Sequence, residues 1–295
     1  MGVRKILGKI YVPVKYFLFK NLPKSCYPFL IRITGRVEIG ERMNLKNPKT
    51  YNEKLQWLKI HDSTSLKTML TDKYEVREWV EKKIGKKYLI PLIGIWDSFE
   101  EIKIDEMPEK FVLKGTHGCG CNLIVQDKKQ LDYKDAQKKF RKWLRLNYAY
   151  FKGEIHYENI KPRIIGEQYL ENQNGSLRDY KIFCFNGLPE FIMIFDNRFS
   201  DMKTAIYNTK WERQEFISNQ YGYMEEDIEA PYNLQELLEV AQELSKGFCF
   251  VRVDFYILNN GELKFGEMTF TPAGGMNRWK PSKYNRILGE YIHLK

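Results

Sequence analysis

No stretch of about 18 consecutive apolar residues occurs in the 295-residue sequence, so a membrane-spanning helix is not expected. The N-terminus also lacks the small-residue cleavage site that follows the apolar region of a secretory signal peptide. Only five cysteines are present, an odd and scattered set unlike the framework of a disulfide-rich secreted protein. Together these absences predict a cytoplasmic protein.

Acidic residues are outnumbered by basic ones, 38 to 48, which gives a formal net charge of +10 at pH 7. Such a charge favours anionic partners such as nucleotides, acidic glycans, nucleic acid or anionic lipid headgroups, but it does not choose among them. With 43% hydrophobic residues, the chain has enough apolar material for one or two folded domains.

The first 36 residues mix basic and apolar side chains. Their basic members are Arg4, Lys5, Lys9, Lys15, Lys20, Lys24, Arg32 and Arg36. Two interpretations remain open: a solvated basic face on a helical lead-in, or peripheral contact with a membrane surface. Pro13 is expected to interrupt any single long helix here.

The rest of the sequence has two regions with different patterns of apolar residues. From Thr50 to Gly85 apolar residues recur with helical spacing. Beyond Met107 short β-type runs dominate, interrupted by amphipathic helical stretches at residues 131–146 and 234–246. The β-type runs cover residues 111–114, 123–126, 163–170, 180–185, 190–195, 248–258 and 262–268. We therefore predict an α+β fold in three sections: a basic amphipathic segment (1–50), a helical section (51–107) and the main body (108–295).

A loop with three glycines joins two of these runs between residues 111 and 125. Glycines let backbone amides approach an anion closely, and Lys114 would place an ammonium group beside the loop. The loop lacks the Gly-Lys-Ser/Thr of a Walker motif, so a flexible hairpin loop and a phosphate cradle both remain open. A zinc site at its Cys-Gly-Cys is not expected, because only His117 is nearby as a further ligand.

The segment from Phe250 to Thr269 contains an Asn260-Gly261 pair, which favours a two-residue hairpin turn. That turn would place Asp254 directly across from Glu267, with Arg252 on the same face. Two opposed carboxylates repel each other, and a divalent cation removes the repulsion. Oxygen ligands without His or Cys suit Mg²⁺. In the alternative interpretation, one carboxylate pairs with Arg252 in a surface network and nothing binds.

Several motifs, taken in order, resemble the ATP-grasp carboxylate-amine ligases, most closely the TupA-like branch associated with teichuronopeptide and capsular polysaccharide synthesis. The similarity runs from about Tyr51 to the C-terminus. It is carried by Asp72-Lys73, Phe111-Val-Leu-Lys114, the glycine loop, Gly166-Glu-Gln-Tyr169, Asp179-Tyr-Lys181, Arg252-Val-Asp254 and Gly266-Glu-Met-Thr-Phe-Thr-Pro272. The resemblance implies an ATP-grasp fold: antiparallel sheets with flanking helices gripping a nucleotide, preceded by a short helical N-terminal section.

For the nucleotide, the resemblance implies two lysines, a lid and a hinge. Lys114 and Lys181 would lie beside the phosphates and adenine, and Gly118 and Gly120 would belong to the phosphate lid. The adenine hinge would consist of Glu167, Gln168, Tyr169 and Leu170. Taken singly, the lysines could also be solvated strand ends, and the hinge an ordinary buried strand.

For the metal and the chemistry, the resemblance implies that Asp254 and Glu267 bind Mg²⁺. Thr269 stands where the superfamily usually has a metal-binding Asn. Arg252 would stabilise the acyl phosphate and the later tetrahedral intermediate. Gly274 and Gly275 would approach the reacting carboxylate, although a simple turn explains them equally well.

The implied enzyme is an ATP- and Mg²⁺-dependent ligase that joins an amino acid or amine to a uronic acid of a polysaccharide or its precursor. Its acceptor would be an acidic glycan or sugar nucleotide, and a lipid-linked acceptor would suit the basic N-terminus at the inner face of the membrane. Three rival functions are a glycosyltransferase, for which no metal-binding Asp-x-Asp is present, a glycan kinase, and a nucleic-acid-binding module, for which no motif is found.

Overall fold

Helices dominate the front of the chain and strands dominate from Leu92 onward, whereas the sequence predicted this change at Met107. The computed structural model describes residues 2–171, 177–196, 202–218 and 221–295. The helices are α1 (Gly2–Asn21), α2 (Tyr27–Glu38), α3 (Tyr51–His61), α4 (Ser65–Thr71), α5 (Val76–Lys83), α6 (Tyr133–Leu144), α7 (Ala149–Lys152), α8 (Leu234–Ser245) and α9 (Tyr284–Glu290). The strands are β1 (Leu92–Trp96), β2 (Phe111–Gly115), β3 (Asn122–Val125), β4 (Ile164–Gln168), β5 (Asp179–Phe185), β6 (Leu188–Asp196), β7 (Lys203–Asn208), β8 (Ile217–Ser218), β9 (Gly222–Tyr223), β10 (Phe250–Ile257), β11 (Leu263–Thr269) and β12 (Trp279–Lys280).

The smaller sheet carries the glycine loop. Its strand order is β1-β4-β2-β3, with every pair antiparallel. Phe111 and Leu113 point to a core that includes Phe140 of α6, so Lys114 points to the opposite face. The section that we expected to be helical (51–107) also contains β1, which pairs with β4. The helical spacing of apolar residues between Thr50 and Gly85 does not predict this short strand.

The larger sheet has the order β11-β10-β5-β6-β7-β9, and only its β7–β9 pair is parallel. Val251, Val253 and Phe255 of β10 face a core that also contains Leu237 of α8. The opposite face is apolar at one end, where Phe250 lies in a cluster with residues of α3. Strand alternation leaves the polar residues of β5, β10 and β11 together on this second face.

The hairpin between β10 and β11 brings Asp254 opposite Glu267 and Arg252 opposite Thr269, as predicted. Its turn, however, has three residues, 259–261, because Leu258 bonds with Glu262 across it, and Gly261 adopts a left-handed φ of 81°. The predicted two-residue turn is therefore wrong. A bulge at Gly266, between the Asp254–Glu267 and Phe255–Phe265 pairs, shifts the register back by one residue.

The helical front packs against the body of the protein. Helix α3 starts with a capping box in which Thr50 and Glu53 bond each other's backbone amides, and it buries Tyr51 and Leu55 in the larger sheet's second core. Helix α1 continues through Pro13, contrary to our expectation. Among the described residues, no helix is long and apolar enough to cross a bilayer.

Candidate nucleotide and metal site

Two neighbouring strands, β10 and β11, bring the predicted metal ligands and the arginine into one cluster. On β10, the Arg252 guanidinium donates from Nε to Asp254 Oδ1 and from Nη2 to Asp254 Oδ2, both at 2.7 Å. The same Nη2 donates to Glu267 Oε1 at 3.2 Å and to Thr269 Oγ1 at 3.1 Å. Arg252 therefore does pair with a carboxylate, as the alternative interpretation of the sequence expected. The pair is largely buried, however, whereas that interpretation placed it in a surface network.

Lys181 extends the cluster from β5, where it is the cross-strand partner of Asp254. Its Nζ lies 2.5 Å from Asp254 Oδ2 and 2.7 Å from Asp179 Oδ2. Lys73 lies at the rim, with Nζ 3.7 Å from Glu267 Oε2. Three cations thus face the carboxylates of residues 179, 254 and 267, so the protein's own charges balance before a ligand enters.

Burial and charge act differently on the two candidate ligands. Burial raises the pKa of Asp254, against the opposing effect of Arg252 and Lys181. Burial also disfavours the charge on Glu267, but Lys73, Arg252 and Lys181 outweigh it and lower that pKa to about 2. Glu267 is therefore an anion at neutral pH, and 33% of its side-chain surface remains exposed to an incoming cation.

The donor set fits Mg²⁺ better than a transition metal. Within the described ranges no three His, Cys, Asp or Glu side chains form a metal-binding group. Two carboxylates and the Thr269 hydroxyl, which donates to Glu267 Oε1 at 3.2 Å, supply oxygen alone. Magnesium commonly takes one or two carboxylates and fills its remaining positions with substrate phosphates and water.

The glycine loop between β2 and β3 is tied to this cluster by a residue to which the sequence analysis gave no role. Lys73 donates to the carbonyl oxygen of Gly118 at 2.6 Å while its ammonium faces Glu267. Gly118 has no room for a side chain, because an added Cβ would lie 2.4 Å from the Tyr148 ring, and Gly120 has a left-handed φ of 76°. Only the order of the motifs along the chain pointed to Lys73.

The predicted nucleotide residues of the smaller sheet lie close together. Lys114 Nζ is 2.6 Å from Glu167 Oε2, and Arg77 Nη1 is 3.4 Å from Glu167 Oε1. Glu167 is buried, Gln168 ends β4 with an exposed side chain, and Tyr169 and Leu170 follow it half-buried. The residues assigned to the hinge therefore form the end of a strand and the segment after it.

Gly274 and Gly275 lie in a buried loop held by other elements. Ala273, Gly274 and Gly275 have φ values of 55°, 68° and 70°. Gln56 Nε2 of α3 donates to the carbonyls of Gly274 and Gly275, both at 2.9 Å. The amide of Gly274 donates to the carbonyl oxygen of Thr271 at 2.8 Å, which closes the turn.

A glycine loop on one sheet and a hairpin of paired carboxylates on another are the features of an ATP-grasp protein. The chain belongs to the TupA-like ATP-grasp family, whose model, described as "TupA-like ATPgrasp", matches residues 53–293. The predicted family and α+β fold are confirmed. No curated protein matches the sequence.

Solved structures of ligases and a synthetase are similar to the chain at low identity. The D-alanine–D-alanine ligase of Bacillus anthracis, solved with ATP, is 15% identical, with 76% of this chain and 65% of that chain covered and a TM-score of 0.45. The L-amino acid ligase of Bacillus licheniformis is 11% identical, with 97% of this chain and 62% of that chain covered and a TM-score of 0.43. The N5-carboxyaminoimidazole synthetase of Staphylococcus aureus is 15% identical, with 68% of this chain and 44% of that chain covered and a TM-score of 0.39. The chain thus spans less than two thirds of each of these proteins.

We expect Lys73→Met to weaken binding of Mg·ADP by roughly tenfold, because the variant loses a cation that contacts both the glycine loop and Glu267. Isothermal titration calorimetry measures the affinity. Lys82→Met serves as the control, since Lys82 lies on α5 in an exposed pair with Glu78. Equal affinity in the two variants would show that Lys73 does not contribute to the nucleotide site.

Proposed function

We propose that the protein is an ATP- and Mg²⁺-dependent carboxylate-amine ligase that forms an amide through an acyl phosphate. The observation that carries this proposal is the buried cluster in which Asp254 and Glu267 face each other beside Arg252 and Lys181. Such a site places positive charge and metal-binding oxygens where phosphate charge must be stabilised.

In the first step, an oxygen of the substrate carboxylate attacks the γ-phosphorus of ATP, and ADP leaves. Lys181 and Arg252 stabilise the negative charge on the transferred group, and the glycine loop at Gly118 and Gly120 limits the access of water. Bound Mg²⁺ would be held by Asp254 and Glu267, with Thr269 beside them, and would neutralise phosphate charge.

In the second step, the amine nitrogen attacks the acyl carbon, the carbon–oxygen bond to phosphate breaks, and the nitrogen loses a proton. We assign Lys114 and the segment from Glu167 to Leu170 to nucleotide binding. Gly274 and Gly275 are assigned to the reacting carboxylate, because their left-handed turn follows the strand that carries Glu267 and Thr269 and is held by Gln56. Arg252, which reaches both carboxylates from β10, stabilises charge on the acyl group.

The proposed acceptor is a uronic acid of an acidic glycan or of its nucleotide- or lipid-linked precursor, and the proposed donor is an amino acid or amine. The association of the TupA-like branch with capsular polysaccharide synthesis and the +10 charge support an anionic glycan. We further propose that the protein works in the cytoplasm at the inner face of the membrane, with residues 1–36 in contact with it.

The test is ADP release measured with a panel of uronic-acid glycans, each with and without a panel of amino acids and amines. A ligase releases ADP in stoichiometric amounts only when an acid and an amine are both present, and mass spectrometry then finds an amide. Phosphorylated glycan formed without an amine would identify a kinase instead. Glycosyl transfer from a sugar nucleotide without ADP release would identify a glycosyltransferase.

A further inference from the structure

Exposed apolar side chains are concentrated on the first two helices. Of the seventeen large hydrophobic side chains exposed among the described residues, eight lie between residues 10 and 37. They are Ile10, Val12, Val14, Phe17, Leu22, Phe29, Ile33 and Val37. Such a concentration in under a tenth of the chain marks a surface that is covered by something other than water.

On each helix most of these side chains form one stripe. Ile10, Val14 and Phe17 have helical spacing on α1, and Phe17 is 63% exposed. Phe29, Ile33 and Val37 do the same on α2, where Phe29 is 62% exposed. We define these six residues as the outer stripes.

Both helices bury their opposite sides in a single cluster. Phe19 of α1 lies there with Leu30 and Ile31 of α2. Because the two helices share this core, the outer stripes lie on the outer surface of one helical hairpin. Each helix therefore has one buried side and one exposed apolar side.

The charges beside the stripes identify the partner. The first 37 residues contain eight Lys and Arg and no Asp or Glu. Arg32 and Arg36 run along α2 next to its stripe and are exposed, as is Lys20 at the end of α1. In the described part of the chain these three residues form no ion pair, whereas Lys24 pairs with Glu158.

We propose that the α1–α2 hairpin docks on an anionic lipid bilayer, with the outer stripes inserted at the level of the headgroups and Lys20, Arg32 and Arg36 on the lipid phosphates. Nucleic acid would use the cations but leave the apolar side chains of the outer stripes in water. An acidic protein surface is the other candidate, and a hairpin that serves it would leave the wild type absent from every vesicle pellet in the test below.

The hairpin is joined directly to the loop assigned to the acceptor. Met276, which follows Gly275, packs in the same cluster as Phe19 and Leu30, and Arg278 donates to the backbone oxygen of Glu38 at the end of α2. A docked hairpin therefore brings Gly274 and Gly275 near the bilayer. That a lipid-linked acid reaches this loop rests on the proposed function, whereas docking itself does not.

Co-sedimentation of the full chain with vesicles tests docking. Wild type is expected to sediment with vesicles of phosphatidylcholine and phosphatidylglycerol but not of phosphatidylcholine alone. We expect Phe17→Ser/Phe29→Ser, and separately Arg32→Glu/Arg36→Glu, to lower the partition coefficient roughly tenfold or more. The matched control Leu188→Ser/Tyr232→Ser removes exposed side chains elsewhere and should partition like wild type.

Partitioning of both hairpin variants equal to that of wild type would overturn the proposal, and so would the absence of wild type from every vesicle pellet. Light scattering separates a further case: a wild-type dimer that becomes monomeric in Phe17→Ser/Phe29→Ser, without vesicle binding, would assign the stripes to a second copy of the chain. None of these measurements needs ATP turnover. Failure of the docking proposal is therefore distinguishable from failure of the ligase assignment.

Discussion

We expect Asp254→Asn and Glu267→Gln each to lower ATP turnover by about 10³-fold. Both substitutions keep the size of the side chain while removing its charge, so the loss reports on the carboxylate and not on packing. Turnover is measured as ADP release with the acid and amine that the substrate panel identifies. Thermal shifts on addition of Mg·ADP provide a second readout that does not depend on the acceptor.

The two variants should differ in stability. Asp254 is buried and balances Arg252 and Lys181, so its neutralisation leaves buried positive charge and should cost about 3 kcal/mol of unfolding free energy. The side chain of Glu267 is 33% exposed, so Glu267→Gln should lower the free energy of unfolding by less. Chemical denaturation measures both values.

Glu262→Gln is the control for both variants. Glu262 immediately precedes β11 of the same hairpin, with its exposed carboxylate paired to the largely buried Lys264, and its neutralisation should leave turnover unchanged. Full activity in both Asp254→Asn and Glu267→Gln would remove the metal assignment, and the cluster would then be a structural network of ion pairs.

The β10–β11 hairpin, which carries the paired carboxylates, shows how much of a local structure the nearby sequence can predict. Alternation and the Asn-Gly signal predicted that Asp254 opposes Glu267, although the pairs nearer the turn are one residue out of the predicted register. The turn is nonetheless one residue longer than predicted, and the bulge at Gly266 compensates for it. A lone glycine within a strand was the available sign of that bulge.

The surroundings of the hairpin depend on contacts that no local pattern contains. Lys73 is separated from Glu267 by nearly two hundred positions, and Gln56 is more than two hundred positions from the loop that it bonds. Periodicity placed Gln56 on a helix but could not say what its polar end would contact. The fold class, the paired carboxylates and Arg252 were therefore predictable, while the residues that position the loops were not.

Lys59→Met is expected to lower ligase turnover by about 10²-fold while Mg·ADP affinity stays within a factor of about two, since a small displacement of a substrate-positioning group has an effect of this size. Lys59 Nζ donates to the carbonyl of Gly274 at 2.9 Å and to that of Lys152 at 2.6 Å. Lys152 in turn donates to the carbonyl of Ala273 at 3.0 Å. Without Lys59, the left-handed turn loses a donor that holds the Gly274 carbonyl.

A matched control exists on the same helix. Lys54 donates to the carbonyls of Gly289 and Ile292, both at 2.7 Å, so Lys54→Met also removes two lysine–carbonyl bonds. Both variants should lose about 1–3 kcal/mol of unfolding free energy, because carbonyl groups lose their donors. Only Lys59→Met should lose turnover, and equal turnover in the two variants would show that the loop does not depend on Lys59.

The pH dependence of stability provides a further check that Lys59 is buried as described. Burial lowers its pKa from 10.5 to about 8, so between these values the unfolded chain binds a proton that the folded chain has released. The stability of wild type should therefore rise relative to Lys59→Met as the pH increases through this window, by about 3 kcal/mol in total. Below pH 8 both states carry the proton, and the difference should be constant. A flat difference throughout the window would mean that Lys59 lies in solvent and that the Gly274 carbonyl is held by Gln56 alone.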